Sequence, residues 1–182
     1  LFVSGLIGAN ADNGIGIAGM DWAASILPVR ALARCGGTDA DVFEGMLWAS
    51  GVQIAGAPAN QHPARVINMS LGGWGACSSA VQEAIDDALA QGAVVVVSAG
   101  NASIDVESFS PANCGGVITV GGDASYRDDT WLSVDNRDVL KQDAFTLVGL
   151  FGVYDTPGGT WQLRAGVRNL TDELYKTDAQ EF

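Results

Sequence analysis

Five apolar residues, Ala93 to Val97, lead into Ser98-Ala99-Gly100-Asn101. The carboxyl end of a parallel strand is where open α/β sheets bind ligands. A carboxamide placed there can donate hydrogen bonds to an oxygen that gains negative charge, while Gly100 lets a substrate approach the backbone. The same residues would also support a tight turn, and their types alone do not separate the two roles. Asn68-Met69-Ser70-Leu71-Gly72-Gly73 is a second strand end that opens into glycines, where unpaired backbone groups could take up an extended peptide as a further strand. His62 is the single histidine and sits among turn formers, Ala59 to Pro63, with no acidic residue nearby in sequence to orient it. It reads as a solvated loop histidine rather than a base. Gly14 to Gly19 spells G-x-G-x-x-G, but polar Asn10 to Asn13 stand where a strand should precede, so a glycine-rich surface loop is the reading.

The elements that must carry these residues alternate. Ser25 to Leu32 reads as a short buried strand, and Asp39 to Gly51 as an amphipathic helix with Val42, Met46 and Ala49 on one face. Arg65 to Leu71 is a second strand. Ser78 to Gln91 is the next helix, capped by Ser78 or Ser79 and stopped by Gly92. The run through Val97 suits a parallel strand covered on both faces, and Val117 to Val120 is another strand. This order predicts an α/β fold with a doubly wound, mostly parallel sheet.

From Ala124 onward the pattern changes to period two. Thr146 to Tyr154 and Thr160 to Val167 read as strands of a hairpin joined at Asp155 to Gly159. A domain boundary is placed between about Gly121 and Ser125, giving an α/β unit over 1–122 and an antiparallel β tail over 123–182.

Composition narrows the function classes. The chain has 182 residues, 48 % of them hydrophobic and 16 % charged, which suits a packed core rather than disorder. A net charge of −12 leaves no basic stripe to displace counterions from phosphates, so a nucleic-acid partner is excluded. An acidic, exported protein is expected. The chain itself holds no signal peptide and reads as a fragment whose start and targeting signal are missing, and no apolar stretch in it reaches the roughly 20 residues of a membrane helix. The cysteines, Cys35, Cys77 and Cys114, allow one disulfide and leave one thiol over.

Taken together and in order, several segments of residues 1–122 resemble the subtilisin family of serine peptidases. Phe2 to Gly8 looks like the helix after that family's His-Gly-Thr motif, and Asp12 to Gly19 like its Asn- and Gly-rich loop. Ile67 to Gly73 looks like its substrate-binding Ser-Leu-Gly strand, and Ser98 to Asn101 like the segment bearing its oxyanion asparagine, itself the standard worked example of such a donor. Ser110-Pro111-Ala112 and Val117 to Gly121 match the segments that follow.

The resemblance implies that Asn101 stabilises the tetrahedral oxyanion and that Ser70, Leu71, Gly72, Ala99 and Gly100 line the pocket for an extended peptide or protein substrate. It implies a structural calcium held at Ala11, Asn13, Ile15 and Ile17, through the Asn13 side chain and backbone carbonyls. It further implies a Cys35–Cys77 disulfide, with Cys114 pairing outside this chain, and a secreted or periplasmic location.

The departures bear on activity. The family's Asp strand would lie before Leu1, its His-Gly-Thr motif would end at about Leu1, and no Gly-Thr-Ser occurs anywhere. A truncated, inactive endopeptidase homologue is therefore the expectation for this chain alone, because losing Ser or His leaves only what binding and the oxyanion hole supply. Ala165 to Tyr175, with Asn-Leu-Thr-Asp-Glu-Leu-Tyr, resembles the signature near the C-terminus of TonB-dependent outer-membrane receptors. That second resemblance implies a chimera (a gene fusion, an assembly artefact or a remnant), with an outer-membrane receptor fragment as one alternative and membrane contact only through a barrel-like tail. A non-catalytic module that binds peptide along the Ser70 to Gly72 edge is the other alternative.

Overall fold

The structure is a computed structural model and describes residues 2–102, 105–131 and 141–175. Along the chain run α1 (Phe2–Gly8), α2 (Asp39–Ser50), β1 (Val66–Met69), β2 (Gly73–Trp74), α3 (Ser79–Ala90), β3 (Val94–Ser98) and β4 (Phe109–Ser110). Then follow β5 (Ile118–Arg127), β6 (Thr130–Trp131), β7 (Lys141–Gln142), β8 (Phe145–Asp155) and β9 (Gln162–Val167). The principal sheet has the order β1-β3-β5-β8-β9. Its first three strands are parallel, and β8 and β9 add to it antiparallel. The fold is thus α/β with a parallel sheet followed by an antiparallel segment, as the alternation of elements predicts.

Local chemistry sets the helices. Thr38 Oγ1 accepts from the Asp41 N–H at 3.2 Å while the Asp41 carboxylate accepts from the Thr38 N–H at 2.9 Å, a capping box at the start of α2. Gly51 ends that helix with φ 104°, a conformation that disfavours residues carrying a Cβ. Ser78, not Ser79, caps α3 by accepting from the Val81 N–H. The two helices pack against each other and against β1 and β3. Val42, Met46 and Ala49 of α2 and Val81, Ala84, Ile85 and Ala88 of α3 bury their stripe with Ile67, Met69, Val95 and Val97 of the strands. On β3 only alternate residues are fully buried, while Val94 is exposed and Val96 half-buried, so the continuous valine run is covered fully on one face rather than on both.

Ser25 to Leu32 is not a strand and is largely exposed. Leu27, Val29 and Ala31 lie across a cleft of about 160 Å³ from Val66 to Met69, floored by Val42, Met46 and Ala49. Pro28 lacks an N–H, and β1 stands at the sheet edge with β3 as its one ladder partner among the described residues. The apolar pattern is that of a strand, but no ladder reaches it.

The predicted boundary near 121–125 falls inside β5, which pairs continuously with β8 from Ile118↔Tyr154 to Arg127↔Phe145. The residues of the tail therefore extend the sheet begun by β1, β3 and β5. The turn of the tail hairpin closes through Gly159 N–H to Thr156 O at 2.8 Å and Trp161 N–H to Thr156 Oγ1 at 3.0 Å. Beyond β9, Asn169 bonds Glu173 twice, its Nδ2 donating to the carbonyl and its Oδ1 accepting from the N–H, both at 2.9 Å. Tyr175 stacks on Phe145 with ring centroids 4.8 Å apart. Residues 176–182 of the tail lie outside the described residues.

The cysteine pairing differs from the one the resemblance implies. Cys77 is bonded to Cys114, and Cys35 is a free, exposed thiol. The α3 N-terminus and the turn after β4 bring Cys77 and Cys114 to a Cα separation of 5.2 Å, within the span a disulfide requires. Cys35 instead sits in the exposed turn closed by the Ala33↔Gly36 bridge.

Candidate substrate-binding site

The parallel register aligns Asn68 with Val96 and Met69 with Val97, so β1 and β3 end side by side. Ser70 to Gly72 and Ala99 to Asn101 leave the sheet at the same edge of the molecule. The turn after β3 is held by two bonds: Ala99 N–H donates to Val120 O at 2.9 Å, and Gly100 N–H donates to Ser98 Oγ at 3.1 Å. Gly100 takes φ +83°, which strains any residue carrying a Cβ. Asn101 follows immediately, exposed, with its carboxamide making no hydrogen bond among the described residues. On the neighbouring segment Ser70 Oγ accepts from Asn68 Nδ2 at 3.0 Å, and Leu71 is half-buried.

One aromatic ring ties the two segments together. A Cβ built on Gly72 would lie 2.5 Å from Phe109 Cε1 and 2.7 Å from Ser110 O, and one built on Gly100 would lie 2.9 Å from Phe109 Cζ. Both glycine backbones thus pack directly on the tip of the Phe109 ring, which is 8 % exposed. The ring is fixed by its backbone. β4 pairs antiparallel with β2, Trp74↔Phe109, and Gly75 N–H donates to Ser108 O at 3.0 Å. Asn113 Nδ2 donates to Gly75 O at 2.9 Å and to Glu107 O at 2.8 Å, closing the ribbon from the far side.

The structure therefore brings together Ser70, Leu71, Gly72, Ala99, Gly100 and, at the turn's exposed end, Asn101. It adds Phe109, which sequence reasoning did not single out. No local pattern marks that residue, because its contacts join three segments far apart in the chain. His62 lies in an exposed loop, its N–H donating to Asn60 Oδ1 at 2.8 Å, while Asn60 Nδ2 donates to Trp48 O and Ala49 O at the end of α2. That loop terminates a helix, and His62 stays in solvent.

Ala11 to Ile17 forms an exposed loop in which Asp12, Gly14 and Gly16 take positive φ and Asn13 Oδ1 accepts from the Ile15 N–H at 3.0 Å. Among the described residues no group of three or more His, Cys, Asp or Glu side chains gathers around a metal position. The implied set at Ala11, Asn13, Ile15 and Ile17 would offer backbone carbonyls beside the Asn13 side-chain oxygen, and calcium takes roughly six to eight oxygens.

The subtilase family model matches residues 1–145. The chain belongs to the subtilase family. Among the proteins it resembles, an extracellular basic protease of Dichelobacter nodosus is 46 % identical over 119 residues, covering 65 % of this chain and 20 % of that protein. An extracellular protease of Xanthomonas campestris pv. campestris is 46 % identical over 130 residues, covering 68 % of this chain and 22 % of that protein. A solved protease structure from Pseudoalteromonas arctica superimposes with a TM-score of 0.63 at 48 % identity, covering 64 % of this chain and 34 % of that one. The chain spans about a fifth of the length of the two extracellular relatives. The subtilase match also extends past the predicted boundary, through β6 and β7 to the start of β8.

Proposed function

We propose that this chain is the substrate-facing half of a subtilisin-like serine endopeptidase. In this reading Ser70 to Gly72 pairs with the backbone of an extended peptide, Ala99 and Gly100 form the opposite wall, and Asn101 donates to the oxygen of the scissile carbonyl. The observation that carries the reading is the convergence of Gly72 and Gly100, from separate strands, on the Phe109 ring with Asn101 one residue beyond. Peptide-bond hydrolysis needs a nucleophile and a base in addition. The sequence holds no Gly-Thr-Ser, and its single histidine is exposed in the loop that ends α2.

By itself, then, the chain binds peptide and does not cleave it. In the same reading the protein acts outside the cytoplasm, a location supported by the naming of two relatives as extracellular and one in which the Cys77–Cys114 disulfide would persist. Two measurements test this. Calorimetric titration with an extended hexapeptide is expected to give saturable binding, and no binding at millimolar concentration would overturn the site. An active-site fluorophosphonate probe is expected to leave the chain unlabelled, and stoichiometric labelling would overturn the inactivity.

A further inference from the structure

We propose that the outer edge of β9 takes up an acidic, extended peptide as a further strand, with carboxylates of that peptide meeting Arg164 and Arg168. This edge stands at the opposite end of the strand order from β1, and its occupancy is independent of the substrate-binding reading above. β9 pairs with β8 and has no second strand partner among the described residues. An edge of this kind offers ladder groups that an incoming strand completes.

The two faces of β9 set the chemistry of the occupant, because successive side chains of a strand point to opposite sides. Leu163, Ala165 and Val167 share one face, where Leu163 and Val167 are 68 % and 53 % exposed. Arg164 and Gly166 share the other, with Arg168 just past the end of the strand. On that face a depression of about 500 Å³ is lined by Asp123, Phe151, Arg164, Gly166 and Arg168. Phe151 stands opposite Gly166, which leaves an opening between two arginines whose positions lie about 13 Å apart along the chain. Neither arginine has an ion pair or hydrogen bond among the described residues, in a chain that holds 21 acidic residues.

Charge then selects among occupants. Asp123 lies on β5, two strand spacings or roughly 10 Å inward of β9, so it disfavours a carboxylate over β8 and leaves the outer side of β9 as the better place for one. β9 contains no Asp or Glu, so antiparallel pairing with a second copy would bring only arginines together on this face, and like charges across strands are destabilising. An acidic strand antiparallel to β9 meets neither obstacle. It places carboxylates opposite Arg164 and Arg168, whose guanidinium forks can donate to them in pairs, and apolar residues opposite Leu163, Ala165 and Val167.

The test follows the whole, isotopically labelled chain by NMR during titration with acetyl-Glu-Val-Thr-Ile-Glu-Val-amide. Its counterpart carries glutamine in place of both glutamates. The glutamate peptide is expected to give saturable shifts at Gln162 to Val167 and to bind about fivefold more tightly than the glutamine peptide, as two exposed ion pairs allow. In Arg164→Gln with Arg168→Gln the two peptides should bind alike, whereas Arg164→Lys with Arg168→Lys should keep part of the preference. Both positions are exposed, so these variants are expected to fold. Equal affinities of the two peptides for the unsubstituted chain would overturn the role of the arginines. Absence of shifts at Gln162 to Val167 with the glutamate peptide at millimolar concentration would overturn the edge site. Concentration-dependent shifts there without peptide would reveal a second copy on β9 and overturn the proposal as well.

Discussion

Gln82 grips Gly115 from both sides, its Nε2 donating to the Gly115 carbonyl at 3.0 Å and its Oε1 accepting from the Gly115 N–H at 2.8 Å. The paired bonds run beside the Cys77–Cys114 disulfide, so the first turn of α3 is fastened to the segment between β4 and β5 by a covalent and a polar link. That segment carries Phe109 at one end and the start of β5 at the other.

Breaking the covalent link should be costly. The disulfide closes a loop with a sequence separation of 37, for which chain entropy suggests about 4 kcal/mol. Cys77→Ser with Cys114→Ser is expected to lower the free energy of unfolding by about 2–4 kcal/mol in denaturant titration. Cys35→Ser, at an exposed free thiol, should stay within about 0.5 kcal/mol. Equal effects of the two changes would contradict the pairing.

The glycine at the heart of the site should be more sensitive than Gly56, which has the same backbone conformation but open space around it. Gly100 and Gly56 have φ of +83° and +81°, but only Gly100 has the Phe109 ring where a Cβ would go. Gly56→Ala is expected to cost about 1–2 kcal/mol from backbone strain alone. Gly100→Ala adds an overpacking cost of about 1–3 kcal/mol on top. A cost no larger than that at Gly56 would show that the ring does not bear on Gly100.

Acid should weaken the start of α2. The Asp41 carboxyl is held below its ordinary value of 3.8, first by the Thr38 N–H and then by the Thr38 hydroxyl that it accepts from. The folded form therefore ionises at lower pH than the unfolded one. This contribution is present above the unfolded value and fades as pH falls through the folded value. The stability gap between the unsubstituted chain and Asp41→Ala should accordingly narrow as pH drops below about 4 in urea titrations. A gap that widens in acid would contradict the capping box.

A structural calcium at residues 11–17 has a direct test. If the carbonyls of Ala11, Ile15 and Ile17 complete the set around Asn13, calcium well above its Kd is expected to raise the melting temperature by several degrees. The rise should disappear in Asn13→Ala, and no rise in the unsubstituted chain would contradict the site.

What the sequence made legible was local. Ser78 and Gly92 bracket the second long helix because caps act within a few residues, and the valine run at 94–97 locates a central strand through its own propensity. Ser70 to Gly72 and Ala99 to Asn101 were recognisable as strand ends with glycines. What stayed hidden depends on distant segments meeting. Pairing of Cys77 with Cys114 rather than Cys35 follows from where α3 and the turn after β4 lie. Ser25 to Leu32 has a strand's apolar pattern but no ladder partner beside it. Phe109 has no signature at all, since its part in the site arises only when Gly72 and Gly100 close on it. The β tail read as a separate unit because its period-two pattern contrasts with the α/β segment, yet β8 pairs with β5 across the change of pattern.

An extended peptide bound where β1 and β3 end has a rival site on the sheet, the edge of β9, which has no second strand partner among the described residues and whose residues are all exposed. An NMR titration of the isotopically labelled chain with an alanine-containing hexapeptide separates the two. Binding at the strand ends gives saturable amide shifts at Ser70, Leu71, Gly72, Gly100 and Asn101, with Gln162 to Val167 unmoved. Shifts along Gln162 to Val167 with none at Gly72 and Gly100 would contradict it.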